Sequence, residues 1–213
     1  MLIGVEKRFI FVSNTKAAST SVEHLLMPYT EVVCLGNSER KHRPMKKVLT
    51  SFPFLFDQPK FQPESFFRFG VMRHPLEWIQ SWYRYRKGNQ VADPLTENMG
   101  FSAFWARKDW NIQRQDGTKY LQSQMFCADD GQVLVDVIIP YARLNEMLGE
   151  ICGNLKIVGK LEQKNASILG QTDSLPDSLK SEMEEFYVKD LELFDRLDQI
   201  NAVGMQKLRE MAP

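Results

Sequence analysis

FIFVSNTKAASTSVEHLL, residues 9–26, decides how the rest of the chain is read. Its first part, within residues 8–13, is apolar, aromatic and β-branched, the composition of a buried strand. Asn14 and Thr15 break that run, and residues 17–27 read as a helix with Val22, Leu25 and Leu26 on one face. Between strand and helix lie Lys16, Ala17, Ala18, Ser19, Thr20 and Ser21. Small residues let the backbone come close to a ligand, and a helix start offers unpaired N–H groups and the positive end of its dipole. With one lysine and three hydroxyls added, this is a cradle for phosphate or sulfate. It is not the Walker A loop, which needs glycines and a lysine directly before the magnesium-binding hydroxyl.

A second junction of the same design follows at FFRFGVMRHPLEWIQSWYRY, residues 66–85. The spacing predicts a strand over 66–72 and a helix over 75–87, with Pro75 in the first turn and Gly88 just past the end. Arg73 then stands at the carboxyl end of a strand, where open α/β sheets hold their ligands. A guanidinium there can take a phosphate by two hydrogen bonds, and Ser81, on the new helix, can add a third.

Further strands are predicted over 31–35, 133–140 and 155–158, and helices from the basic stretch 40–47, over 144–151 and over 178–197. Residues 52–65 carry three prolines and read as loop, and the aromatic residues of 89–126 read mainly as core. Strands alternating with helices imply an α/β fold, a mostly parallel central sheet flanked by helices, as one domain over residues 1–213.

Composition narrows the function. The 213 residues include 27 Lys and Arg against 27 Asp and Glu, so a general nucleic-acid coat is disfavoured and only local basic clusters can bind anions. Three widely spaced cysteines, at 34, 127 and 152, fit neither a disulfide scaffold nor a zinc ribbon. Free thiols, no apolar leader and no run long enough to span a membrane point to the cytoplasm. No metal-ligand motif is present, so no metal is expected.

Together, the TKAASTS and RHP junctions, with a serine eight residues past the arginine, resemble the sulfotransferase superfamily, closest to its carbohydrate branch of heparan 2-O-type and bacterial family 2 members. KHRPMKKVL, TKYLQSQMFC and EEFYVKDLELF fit in the family's order. The resemblance implies a P-loop-like sulfotransferase fold and the donor 3′-phosphoadenosine 5′-phosphosulfate (PAPS), with 3′-phosphoadenosine 5′-phosphate (PAP) as product. It places Lys16, Ala18, Ser19, Thr20 and Ser21 on the 5′-phosphosulfate, and Arg73 and Ser81 on the 3′-phosphate. Asn165 and Ser167 resemble a late loop near the nucleotide. Ser19 departs from the family, many members of which carry glycine in this loop.

A hydroxyl acceptor also needs a base. Of His24, His42 and His74, only His42 lies among cations, in SERKHRPMKKVL, which favour the neutral, proton-accepting imidazole. The resemblance places a base histidine in a comparable segment, so His42 is the expected base, with Glu39 and Glu77 as the remaining candidates. Arg40 and Lys41 can meet an anionic acceptor, Trp105 or Trp110 can line its cleft, and Gln124 resembles a polar residue near it. The expected acceptor is a hydroxyl of a carbohydrate or glycolipid. The alternatives are a kinase-like phosphotransferase, for which the strand DVIIPY offers only Asp136, at its start, as a metal-holding carboxylate, and a non-catalytic nucleotide-binding module.

Overall fold

In the computed structural model, residues 1–88, 91, 93–162 and 176–211 are described; the expected nucleotide-loop residues Asn165 and Ser167 lie outside them. Five strands form one sheet: β1 (Leu2–Gly4), β2 (Phe9–Val12), β3 (Val32–Val33), β4 (Phe67–Met72) and β5 (Val137–Pro140), in the order β3-β1-β2-β4-β5. Around it lie α1 (Ser19–Leu26), α2 (Ser38–Lys41), α3 (Met45–Ser51), α4 (Pro53–Phe56), α5 (Pro75–Gly88), α6 (Phe101–Arg107), α7 (Ser123–Phe126), α8 (Leu144–Asn154), α9 (Asp177–Phe186), α10 (Val188–Asp195) and α11 (Leu197–Met211).

The sheet is mixed. β2, β4 and β5 are parallel, as βαβ connections require, while β1 and β3 add antiparallel pairs at one side. β1 was not anticipated: three residues are too few to show a period, and a short turn through Val5–Arg8 folds it back on β2. Alternate residues of each strand feed opposite layers. Phe9, Phe11, Phe67, Phe69, Val137 and Ile139 pack with α1, α8 and α11. Ile10, Val12, Met72 and Ile138 pack with α3, α7 and α10. A third cluster joins Trp78, Ile79 and Trp82 of α5 to Phe104, Trp105, Ile112 and Tyr187, so the aromatic stretch is mostly core, as expected.

Six expected elements are corrected. Residues 52–65, read as loop, hold α4 and two 3-10 turns, each started by a proline in its first turn, and the strand over 31–35 shrinks to Val32–Val33. Residues 155–158 are not a strand: the N–H of Lys156 (φ 52°) donates to Gly153 at 3.2 Å and that of Ile157 to Cys152 at 2.8 Å, a left-handed stop to α8. The helix expected over 40–47 is two, α2 and α3, because Pro44 cannot continue α2 and its predecessor is pushed out of helical geometry. The helix over 178–197 breaks at buried Tyr187 into α9 and α10. The strand over 133–140 starts only at Val137. α11 was also unforeseen, since Asn201 and Gly204 interrupt its buried side between Leu197 and the pair Met205 and Leu208. The Asn201 side-chain amide donates to the Ile138 carbonyl and its oxygen accepts from the Ile138 N–H, both at 2.8 Å, which satisfies the free edge of β5. A Cβ on Gly204 would lie 1.8 Å from the Asp136 carbonyl oxygen, so only glycine permits this approach.

For function, the decisive feature is register. Val12 of β2 lies opposite Gly70 of β4, so both strands end side by side and release the two anion-suited junctions into the same region.

Candidate active site

After β2 the chain makes a tight loop into α1. Lys16 and Ala18 both take left-handed backbone, with φ 56° and 57°. Each costs about 1–2 kcal/mol for a residue with a Cβ, and such strain persists where surrounding structure enforces it. The Trp78 indole donates to the Thr15 carbonyl at 2.8 Å, the Tyr120 and Thr15 hydroxyls pair at 3.3 Å, and the Asn14 amide donates to the Val71 carbonyl at 3.1 Å. Alternating hand turns successive N–H groups to one side, a concavity suited to an anion. No side chain caps the start of α1. Ser19 is the first helical residue, so the serine in place of the family's glycine carries no left-handed strain; that falls on Ala18 instead.

Arg73 leaves the end of β4 beside this loop. Gln122, fully buried, ties the two junctions together: its oxygen accepts from the Asn14 amide at 2.9 Å and the Arg73 N–H at 3.1 Å, and its own amide donates to the Arg73 carbonyl at 2.8 Å. Buried Asp190 holds Gln122 in turn, accepting from the N–H groups of Gln122 and Ser123, both at 2.8 Å. The sequence reading singles out this segment but points to Gln124 in it; Gln122 escapes it because its partners stand far away in the chain.

Three cations meet here. The Lys16 ammonium lies 3.7 Å from the centre of the Tyr85 ring, and its pKa is pushed down to about 8 by burial first, then by Arg73 and Arg84. The Arg73 guanidinium lies 3.7 Å over the Tyr141 ring; burial lowers its pKa and Arg84 adds to this, against Tyr141 and Glu77. Its Nε is buried with no hydrogen-bond partner among the described residues. Among those residues, none of the three cations forms an ion pair with a carboxylate. Half-buried like charges held close together are costly, and an anion that joins them relieves the cost. Arg84 was missed in the sequence, although it lies one turn past buried Ser81. On α5, Glu77, Ser81, Arg84 and Tyr85 share one face by their spacing of three and four.

His42 lies at the end of α2. Its Nδ1 is 2.6 Å from the Ser13 carbonyl oxygen. A carbonyl only accepts, so Nδ1 carries the hydrogen and the neutral ring presents its lone pair on Nε2. The imidazole pKa is lowered, chiefly by burial and then by Lys41, against the Ser13 hydrogen bond and Glu23. The direction agrees with the sequence reading, but burial and not the basic stretch is the main cause. Lys41 turns inward: its ammonium contacts Glu23 Oε2 at 3.0 Å and donates to Thr20 Oγ1 at 3.2 Å. Arg40 faces outward and is exposed.

The remaining expected residues are scattered. Trp105 is 1% exposed, packed on Phe186 and Tyr187 with its indole donating to Glu182, so it is core and does not line a cleft. Trp110 is 52% exposed and stands edge-on to Trp82, whose ring lies 6.0 Å from the Lys16 ammonium. Gln124 lines a pocket of about 320 Å³ with Lys119, Phe186 and Lys189. Ser21 is buried beside the loop. His74 packs edge-on against Phe194, and His24 is exposed. Asp136 sits at the opposite end of the parallel strands, paired with Arg68 at 2.8 Å and Lys207 at 2.9 Å. No helix among the described residues is long and apolar enough to cross a membrane.

A sulfotransferase family model matches residues 2–203. No curated protein and no solved structure matches the chain. The match runs through both anion-suited junctions, the His42 segment and the Gln122 clamp between them. On that coverage, with the α/β fold and its paired strand ends, the chain belongs to the sulfotransferase family.

Proposed function

We propose that this chain moves a sulfuryl group from PAPS to a hydroxyl of a carbohydrate or glycolipid. The observation that carries the reading is the cluster of Lys16, Arg73 and Arg84, three cations with Glu77 acting on Arg73 but no direct ion pair among the described residues, and with Arg73 Nε left without an acceptor. A donor with phosphate at both ends supplies negative charge there. The N–H groups around Ala18 and Ser19, with the Thr20 and Ser21 hydroxyls and Lys16, take the 5′-phosphosulfate. Arg73, Ser81 and Arg84 take the 3′-phosphate, which distinguishes this donor from ATP.

PAPS supplies a sulfuryl group on a good leaving group. His42 Nε2 removes the acceptor proton as the acceptor oxygen bonds to sulfur, and the sulfur–oxygen bond to the phosphate breaks on the opposite side. Lys16 offsets the negative charge that grows on the leaving phosphate oxygen, a preorganised electrostatic effect. The exposed face of Trp110, beside Trp82 and Lys16, suits a sugar ring, and Arg40 suits an acidic one. Unpaired thiols at Cys34, Cys127 and Cys152 fit work in the cytoplasm.

A kinase reading needs a metal-holding carboxylate at the phosphate end of the sheet, and Asp136 lies at the other end in two ion pairs. Incubation with radiolabelled PAPS and a panel of glycans and glycolipids tests the proposal. Label on an acceptor hydroxyl is expected; phosphate transfer from ATP and magnesium, with no sulfate transfer, would overturn it.

A further inference from the structure

Glu23 is a carboxylate on the second turn of α1 that the mechanism above does not use, and it is 3% exposed. A buried carboxylate needs full pairing to be tolerated. Its Oε1 accepts from the Ser13 hydroxyl at 2.6 Å, and its Oε2 meets the Lys41 ammonium at 3.0 Å. Both partners lead to the reaction. The Ser13 carbonyl holds His42 Nδ1, and Lys41 also reaches Thr20 Oγ1 in the phosphate loop. We propose that Glu23 is a positioning residue for sulfuryl transfer: through Ser13 it orients the base, through Lys41 it fixes Thr20, and so it keeps base and donor loop in one geometry.

This inference rests on His42 being the base. The charges that face His42 are Lys41 beside it, Glu23 from α1 and the Met1 nitrogen just before β1, which donates to Ser13 Oγ at 2.9 Å and lies 3.8 Å from Glu23 Oε1. Glu23 alone in this set favours the protonated ring. Two opposite signs follow. Glu23→Gln removes the negative charge and leaves Lys41, so the His42 titration moves to lower pH. Lys41→Met removes the positive charge and leaves Glu23, so it moves to higher pH.

The chain has three histidines, so each can be followed by NMR in the ligand-free protein, with His42→Ala giving the assignment. Glu23→Gln is expected to lower the His42 midpoint by about half a pH unit, Lys41→Met to raise it by a similar amount, and Glu23→Asp to restore it most of the way. In sulfate transfer, Glu23→Gln is expected to lower kcat about tenfold while the KM for PAPS changes less than about twofold, because orientation and not donor affinity is lost. If Glu23→Gln does not fold, Lys41→Met supplies the sign alone. An unmoved His42 titration in a folded variant, or a fall in transfer fully matched by loss of folded protein, overturns the proposal. Failure of the base assignment looks different: His42→Ala would keep its turnover while the two titration shifts remained.

Discussion

Replacing Lys16 by methionine is expected to stabilise the ligand-free protein at neutral pH while removing donor binding. The fold holds the Lys16 ammonium away from water and near Arg73 and Arg84, so its pKa falls from 10.5 to about 8. That interval is worth roughly 3 kcal/mol against the charged form in the folded state. Methionine keeps the stem and drops the charge. It also forfeits the contact with the Tyr85 ring, worth about 1 kcal/mol, and part of the charge penalty is already relieved by residual solvent. A net gain of about 1–2 kcal/mol remains, or about 3–6 °C in Tm for a chain of this size. The pH dependence has a definite sign. Between about 8 and 10.5 the unfolded lysine still holds a proton that the folded one has lost, so wild-type stability rises with pH in that window. The advantage of Lys16→Met is therefore full at pH 7 and smaller at pH 9.5. Thermal unfolding at both values, with and without PAP, reads all of this. PAP should raise the wild-type Tm and leave the variant unmoved. A variant that melts below wild type at pH 7, or whose advantage is equal at both pH values, refutes the picture of a half-buried cation held against two others.

Other substitutions test other parts of the site. His42→Ala should leave PAP affinity within about twofold and lower transfer by at least about a hundredfold; calorimetry and initial rates separate the two. The acid limb of the wild-type rate profile should lie below the ordinary histidine range, because burial lowers the His42 pKa and leaves Nε2 unprotonated at more acidic pH. Arg84→Ala should weaken PAP about tenfold or more and leave adenosine 5′-monophosphate almost unchanged, if its guanidinium meets the 3′-phosphate. Ala18→Gly should raise stability by up to about 1 kcal/mol, since glycine takes φ 57° without a Cβ penalty; circular dichroism melts report it.

Both anion-suited junctions were legible because each is local: an apolar run, a short break, then a helix start, all within about twenty residues of chain. Their meeting follows from parallel pairing of β2 with β4, which alternation of strands and helices already implied. What stayed hidden depends on distance in the chain or on very short signals. Gln122 acts through Asn14, more than a hundred residues earlier, and Glu23 acts through Ser13 and Lys41. Arg84 looked like any surface arginine on an amphipathic helix, until Lys16 and Arg73 were placed against it. β1 is three residues long, and the buried side of α11 is interrupted by Asn201 and Gly204, residues that a hydrophobic template does not count. The apolar run 155–158 misled because a left-handed helix stop buries the same side chains that a strand would. The basic stretch 40–47 pointed to His42 for a partial reason: its neighbours are cationic, but burial matters more, and Lys41 is committed to Glu23.

If one doubly phosphorylated adenosine bridges the Lys16 loop and Arg73, calorimetric titration in the presence of a metal chelator, with PAP, adenosine 5′-monophosphate and ADP in turn, shows it directly. PAP should bind without metal and at least about tenfold more tightly than either competitor, because only PAP carries the 3′-phosphate that Arg73 can take by two charge-assisted hydrogen bonds. Equal affinity for the monophosphate, or binding of ADP that appears only when magnesium is restored and exceeds that of PAP, would contradict it.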